Sequence, residues 1–247
     1  MLRLLEEILT RKEVRSADGA LIPLHSEITA EEGALLQELI AKKCPAISLE
    51  VGLAFGVSAL FICEALSKVE GKRHIVIDPW QGAGFGNVGL RNLEEAGFGG
   101  MIDFREQKSH IALPELAAEG ARIDFAFIDG FHTFDHVLLD FFYVDLLLRP
   151  GGIVVFDDVE WPAIHRVCRY VATNRAYRAC AETGMKPARI ADRALSWAAR
   201  RSPRLGRVLN GRFSQPDEVL GFSRGSSMVA FEKLAHDDRK WDFDQAF

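Results

Sequence analysis

The chain has 247 residues, 48% of them hydrophobic and 26% charged, with 30 Lys and Arg against 35 Asp and Glu for a formal charge of −5. This composition excludes a disordered, collagen-like or low-complexity chain, and the length suits one α/β domain with appendages. Net acidity argues against generic nucleic-acid binding, and no apolar run reaches the roughly 18 residues of a transmembrane segment.

The opening MLRLLEEILTRKEVR interleaves charge with leucine, so it reads as an amphipathic helix and not as a cleaved secretion signal. A second helix is expected from Thr29, because Thr29-Ala-Glu-Glu32 has the side chains for a reciprocal capping box ahead of Leu35, Leu36, Leu39 and Ile40. Residues 1–45 are therefore expected to form an N-terminal helical cap. From Pro45 onward short apolar runs alternate with helix-length stretches. The pattern predicts strands at 46–51, 74–78, 101–105, 123–128 and 152–156, with helices from about 57, near 88–96, near 110–119 and at 133–147. Such alternation implies a doubly wound parallel sheet with helices on both faces, and runs such as FAFI and GIVVF have the continuous apolar character of central strands. A helix is expected at 162–180. Next comes a basic stretch, residues 186–212, holding Lys186 and seven arginines against Asp192 alone. Its Ile190, Ala194 and Trp197 recur at helical spacing before Ser202-Pro203. This stretch, taken as an insertion over 180–215, reads either as a lid offering guanidinium groups to an anionic substrate or as a solvated packing helix. EVLGF (218–222) and MVAFEKL (228–234) are expected to pair antiparallel at the sheet edge. The four cysteines, Cys44, Cys63, Cys168 and Cys180, have neither CxxC spacing nor disulfide-scaffold density, so reduced thiols and a cytoplasmic location are expected.

In open parallel sheets ligands bind beyond the carboxyl ends of the strands. The first strand here runs out into Glu50-Val-Gly52-Leu-Ala-Phe-Gly56-Val-Ser58, where glycines permit a tight turn and close approach of a ligand to a helix N-terminus. The second ends at Asp78, an acceptor-only group suited to a ribose diol. The fourth ends in Asp129-Gly-Phe-His132 and the fifth in Asp157-Asp158. Three carboxylates at one edge form an all-oxygen set of the kind that holds Mg²⁺ or Mn²⁺, although a helix-capping or amide-bonded role for each is the plain alternative. His132, three residues after Asp129, is placed to act as a general base. With His136 it makes an HxxxH pair, but Thr133 stands where a zinc protease has glutamate.

The stretches SLEVGLAFGVSAL, HIVIDPWQ, KSHIALPEL and DFAFIDGFHTFDHV through LLLRPGGIVVFDDV resemble the Rossmann-like class I S-adenosylmethionine-dependent methyltransferases. The resemblance covers residues 46–158. Within that class it is to the metal-dependent O-methyltransferases that include catechol and macrolide-sugar enzymes, and to the bacterial group related to cephalosporin-hydroxylase-type sequences. It implies a mainly parallel seven-stranded sheet closed by an antiparallel C-terminal hairpin, with a helical insertion before the last two strands and a methyltransferase domain over 46–247. It further implies that Glu50, Gly52, Gly56 and Ser58 surround the methionine part of the cofactor and Asp78 the ribose. Ser109 and His110 would lie near the adenine, and Asp129 would border the cofactor. Asp129, Asp157 and Asp158 would hold the metal, and His132 takes the place of the catalytic base. Ala54 replaces the middle glycine of the commoner E-x-G-x-G-x-G pattern.

The function so implied is Mg²⁺-dependent transfer of a methyl group from S-adenosylmethionine to a hydroxyl of a small-molecule acceptor. Homo-oligomerisation is compatible with it. Two other readings compete. One is a non-catalytic domain that keeps cofactor binding. The other is a nicotinamide oxidoreductase, against which the absence of G-x-G-x-x-G counts.

Overall fold

In the computed structural model, residues 2–68, 71–184, 217–223, 225–243 and 245–247 are described. The chain opens with α1 (Arg3–Arg11), a hairpin of β1 (Glu13–Arg15) and β2 (Leu21–Pro23), and α2 (Ala30–Lys43). The α2 capping box forms as the sequence predicts: the Glu32 amide donates to Thr29 Oγ1 at 3.2 Å while the Thr29 amide donates to Glu32 Oε2 at 2.7 Å.

The alternating segment follows as β3 (Ile47–Val51), α3 (Val57–Leu66), β4 (Arg73–Ile77), α4 (Val88–Glu95), β5 (Ile102–Arg105), α5 (Ser109–Ala118), β6 (Ile123–Ile128), α6 (Phe134–Leu147), β7 (Leu148–Phe156) and α7 (Pro162–Asn174). The chain then adds β8 (Tyr177–Thr183), a short helix α8 (Asp217–Leu220) and β9 (Met228–Lys233). The seven-stranded sheet has the order β5-β4-β3-β6-β7-β9-β8, parallel except for β9, which runs antiparallel to both neighbours. Successive strand residues point to opposite faces, so each central strand feeds two cores. Phe125, Phe127, Ile153 and Val155 pack under α1–α4, while Ala126, Ile128, Val154 and Phe156 pack under α5–α7. Each fully buried phenylalanine there contributes about 1.5–3 kcal/mol over exposure.

Two expectations are corrected. The helix expected over 162–180 stops at Asn174, and residues 177–183 form the edge strand β8. The partner of β9 is therefore β8 and not 218–222, which lies in and just after α8. Small residues at Ala179, Cys180 and Ala181 carry little β-propensity, and pairing with β9 overrides it. Asp217 holds α8 to α7, with His165 Nε2 at 2.9 Å and Arg169 bonded to its other oxygen. The hairpin of β1 and β2 adds an element that the helical reading of residues 1–45 lacked. The basic stretch at 186–212, with its lid and packing-helix readings, lies outside the described residues. Among the described residues, no helix is long and apolar enough to cross a membrane.

Candidate functional site

The strand order reverses between β3 and β6, which opens a crevice at their carboxyl ends. Register places the site. Val51 pairs with both Ile77 and Ile128, and Ile128 pairs with Phe156, so Gly52, Asp78, Asp129 and Asp157 each follow the last paired residue of adjacent strands. The chain needs glycine at two of these positions. A Cβ on Gly52, at φ +94°, would stand 2.0 Å from the Asp129 carbonyl oxygen, and one on Gly56, at φ +81°, 2.9 Å from that of Gly89. Ala54 takes a left-handed φ of 46° in the place of the missing middle glycine, so the turn keeps its shape.

Asp78 is buried and accepts four N–H groups: Leu53 N at 3.0 Å, Ala54 N at 2.9 Å and Gln81 Nε2 at 3.1 Å on one oxygen, Trp80 N at 2.7 Å on the other. Three of the donors crowd one oxygen, and the other, with the Trp80 amide alone, keeps a lone pair for a further donor. In this state Asp78 braces the glycine turn. Gln81 Nε2 also donates to the Ala54 carbonyl at 2.7 Å, while its buried Oε1 has no partner.

Glu50 lies on the α1–α4 face and is fully buried. One oxygen accepts the Ser58 hydroxyl, the other faces His74 Nε2 at 3.0 Å, and His74 Nδ1 faces Ser48 Oγ at 2.8 Å. This series of bonds ties β3, β4 and the first turn of α3 together and leaves neither Glu50 oxygen unpaired. His74 opens the stretch HIVIDPWQ, but nothing in that stretch marks its partners. Its only sequence signal is a polar residue inside an otherwise apolar strand.

At the other side of the crevice His132 Nε2 lies 3.3 Å from Asp129 Oδ1 and 3.2 Å from Asp158 Oδ2. Ligand-capable atoms of these three residues all fall within 4.8 Å of one another. Asp157 stands just behind, buried, with Oδ1 accepting the Asp158 amide at 2.9 Å. Burial pushes Asp129 up to about 6, with the hydrogen bond to His132 working against it. Burial likewise lifts Asp157 well above the ordinary carboxylate range, and Asp129 and then Glu32 add repulsion. The hydrogen bond to Asp129 raises His132 from its usual value, outweighing the opposing effect of burial. Such a cluster favours whatever brings in positive charge, be it protons, the imidazolium or a cation. Asp129 and Asp158 bring carboxylate oxygens together, with Asp157 lining the same cavity, and carboxylate oxygen is the donor a hard divalent ion takes.

These groups line a cavity of about 530 Å³ whose opposite wall comes from the N-terminal cap through Ser26, Glu27, Glu31 and Glu32. Trp161 stands over His132, ring centroids 5.7 Å apart, and Thr183 closes the wall with a buried hydroxyl that has no partner. A second cavity, about 520 Å³, lies across the glycine turn against Phe55, Phe85 and His25 and has no carboxylate cluster. His136 turns away from His132 to Thr133 Oγ1 at 2.8 Å, so the HxxxH pair does not converge.

Ser109 and His110 open α5, apart from the metal-fitting cluster. His110 is exposed with its ring 6.3 Å from that of His136, and Ser109 neighbours Asp140 of α6. Asp140 is a residue that sequence reasoning missed. It is buried, and neither of its oxygens completes a hydrogen bond.

Residues 49–159 match the family model described as a methyltransferase domain. The chain is 33% identical over 143 residues to tricin synthase 1 of Oryza sativa subsp. japonica, covering 54% of this chain and 53% of that protein. It is 32% identical over 135 residues to the catechol O-methyltransferase of Niastella koreensis, covering 53% and 58%. The chain thus spans about half the length of the curated relatives it matches. Among solved structures, the O-methyltransferase TomG of Streptomyces achromogenes, involved in tomaymycin synthesis and in complex with S-adenosylmethionine, superposes with a TM-score of 0.63 at 19% identity. That superposition covers 95% of this chain and 91% of TomG. The O-methyltransferase from Bacillus cereus, in complex with S-adenosylhomocysteine, gives 0.64 at 18% identity, covering 94% and 92%. The fold is that of the class I methyltransferases. The likeness read from the motifs thus holds for the sheet and for the half of the chain that carries the site.

Proposed function

We propose that this chain is an S-adenosylmethionine-dependent O-methyltransferase acting on a hydroxyl of a small molecule. The observation that carries the reading is the meeting of Asp129, His132 and Asp158 beside the glycine turn, at the reversal of strand order. Glu50, Gly52, Gly56 and Ser58 shape the methionine end, Asp78 the ribose, and Ser109 and His110 the adenine end. A ribose hydroxyl at Asp78 bonds Oδ1, which now takes the Trp80 amide alone, while the Gln81 amide is the one side-chain donor on the other oxygen. Asp129, Asp157 and Asp158 would hold Mg²⁺, whose chemistry is to lower the pKa of a bound hydroxyl and orient it. His132 takes the hydroxyl proton on Nε2, the nitrogen now aimed between Asp129 and Asp158. Trp161 offers an aromatic wall for the acceptor.

The test compares melting temperature with S-adenosylhomocysteine and with NAD, each with and without Mg²⁺. A native-state ligand at 100 times its Kd stabilises by about 2.7 kcal/mol. For a chain of this size that is roughly 5–11 °C. S-adenosylhomocysteine should give the shift and NAD none. The variant His132→Ala should keep the S-adenosylhomocysteine shift and lose methyl transfer to an aromatic diol. Equal loss of both would make His132 structural.

A further inference from the structure

The cluster of Asp129, His132 and Asp158 forms one wall of the cavity of about 530 Å³, and the facing wall is acidic as well. Methyl transfer as read above makes no use of that second wall. Glu27, Glu31 and Glu32 reach it from the start of α2 and the loop before it, and Glu160 from the loop before α7. Glu27 has Lys12 at 2.9 Å, and Glu32 takes both of its capping bonds from Thr29 on Oε2. Glu31 is exposed and has no ion pair among the described residues. A divalent ion, the cofactor sulfonium and Lys12 together bring four positive charges to seven carboxylates. Among the described residues the cavity therefore stays acidic with all of them in place. A second feature does not depend on charge. The Thr183 hydroxyl, at the end of β8, lines the same cavity on a residue only 6% exposed and makes no hydrogen bond, a state that buried polar groups avoid. Beside it the Ser227 hydroxyl donates to the Thr183 carbonyl at 3.4 Å and keeps its lone pairs to accept. Trp161 is 52% exposed on the cavity wall, and the face of an indole attracts cations.

We propose that the acceptor is an organic cation: a small hydroxyl compound carrying a protonated amine, with Glu31 and Glu32 as its counter-charge and the Thr183 hydroxyl as a hydrogen-bond acceptor. This names the acceptor of the site assigned above and rests on that reading. An ammonium group has donors and no acceptor, which matches a wall of carboxylates and a hydroxyl able to accept. A second metal ion matches it less well. Such an ion takes six or more converging oxygens, and among the described residues the metal-fitting group is Asp129, His132 and Asp158. The cavity volume lies within the roughly 300–1,000 Å³ of small-molecule sites. An acceptor bearing a carboxylate or phosphate meets repulsion from the same wall.

The test uses the full chain with saturating S-adenosylhomocysteine and Mg²⁺, and aromatic diols of one skeleton whose side chain ends in an ammonium, a methyl or a carboxylate group. Calorimetry should find the ammonium form bound roughly tenfold more tightly than the methyl form, and the carboxylate form weakest. Glu31→Gln removes a charge at an exposed position, and Thr183→Val removes the hydroxyl while keeping the shape. Each should weaken binding of the ammonium form by more than that of the methyl form, a difference that a merely structural role would not produce. Equal affinity for the ammonium and methyl forms, or no binding of the ammonium form, would overturn the proposal. So would a preference for the carboxylate form, which is what the lid reading of 186–212 predicts. In each of these cases the melting-temperature shift with S-adenosylhomocysteine alone still supports the methyltransferase reading, whereas loss of that shift would end both. Should Thr183→Val fail to fold, Glu31→Gln and the three diols on the wild type decide.

Discussion

Asp140 sits on the inner face of α6 with neither oxygen in a well-formed hydrogen bond, and burial pushes its pKa up to about 6, with the nearby Ser109 hydroxyl and then His136 pulling the other way. A carboxyl group raised in the folded state gives stability that is full below its unfolded value near 3.8 and is lost as pH rises through 6. A shift of that size corresponds to about 3 kcal/mol. Asp140→Asn keeps the shape and removes the charge, so it should raise the melting temperature at pH 8, with the gain shrinking toward pH 4.5. A gain that does not depend on pH would show that the group is not titrating. No sequence signal marks Asp140 as an orphan, since its spacing reads as one more polar position on an amphipathic helix. His74 escaped for a similar reason: its partners Ser48 and Glu50 lie on a neighbouring strand, 26 and 24 residues away. By contrast, Gly52, Asp78, Asp129 and Asp157 were legible because strand ends can be read from local apolar runs, and parallel register aligns those ends.

At the scale of elements, what local chemistry specifies was readable and what distant pairing specifies was not. The capping box of α2 involves residues three apart, and both reciprocal bonds form where the sequence places them. Thr29→Ala should cost about 1 kcal/mol, a fall of roughly 2–4 °C in melting temperature. Because Glu32 lines the carboxylate cavity through this same box, a smaller melting-temperature rise with Mg²⁺ in this variant than in the wild type would show that the cap also shapes that cavity. The edge strand β8 shows the other case. Tyr177–Thr183 is poor in β-branched residues and follows a helix after two residues, so nothing local announces a strand. Its pairing with β9, some fifty residues on, decides. EVLGF looked like a strand on local hydrophobicity, but Asp217 is drawn to His165 and Arg169, and Phe222 is buried in the core beneath α7. The hairpin of β1 and β2 did carry a local signal, Asp18-Gly19 at its turn, with Gly19 at φ +88°. Reading the first 45 residues as helices passed over it.

For the whole molecule, charge is spread unevenly. Seven carboxylates line one cavity: Glu27, Glu31, Glu32, Asp129, Asp157, Asp158 and Glu160. The chain as a whole carries only −5. Monovalent salt screens over about 8–10 Å at ordinary ionic strength, so it does little within the group of Asp129, His132 and Asp158, whose ligand atoms lie within 4.8 Å of one another. A divalent ion seated among them cancels the repulsion directly. Millimolar Mg²⁺ should therefore raise the melting temperature more than sodium chloride at equal ionic strength. Asp157→Asn separates this from a general salt effect. Burial and its neighbours hold the Asp157 carboxyl well above its usual range, so neutralising it removes a repulsion that grows as pH rises. The variant without added metal should be more stable than the wild type at pH 8, while its extra response to Mg²⁺ disappears. A wild type that responds to the two salts alike would mean that the cluster holds its charge without a divalent partner.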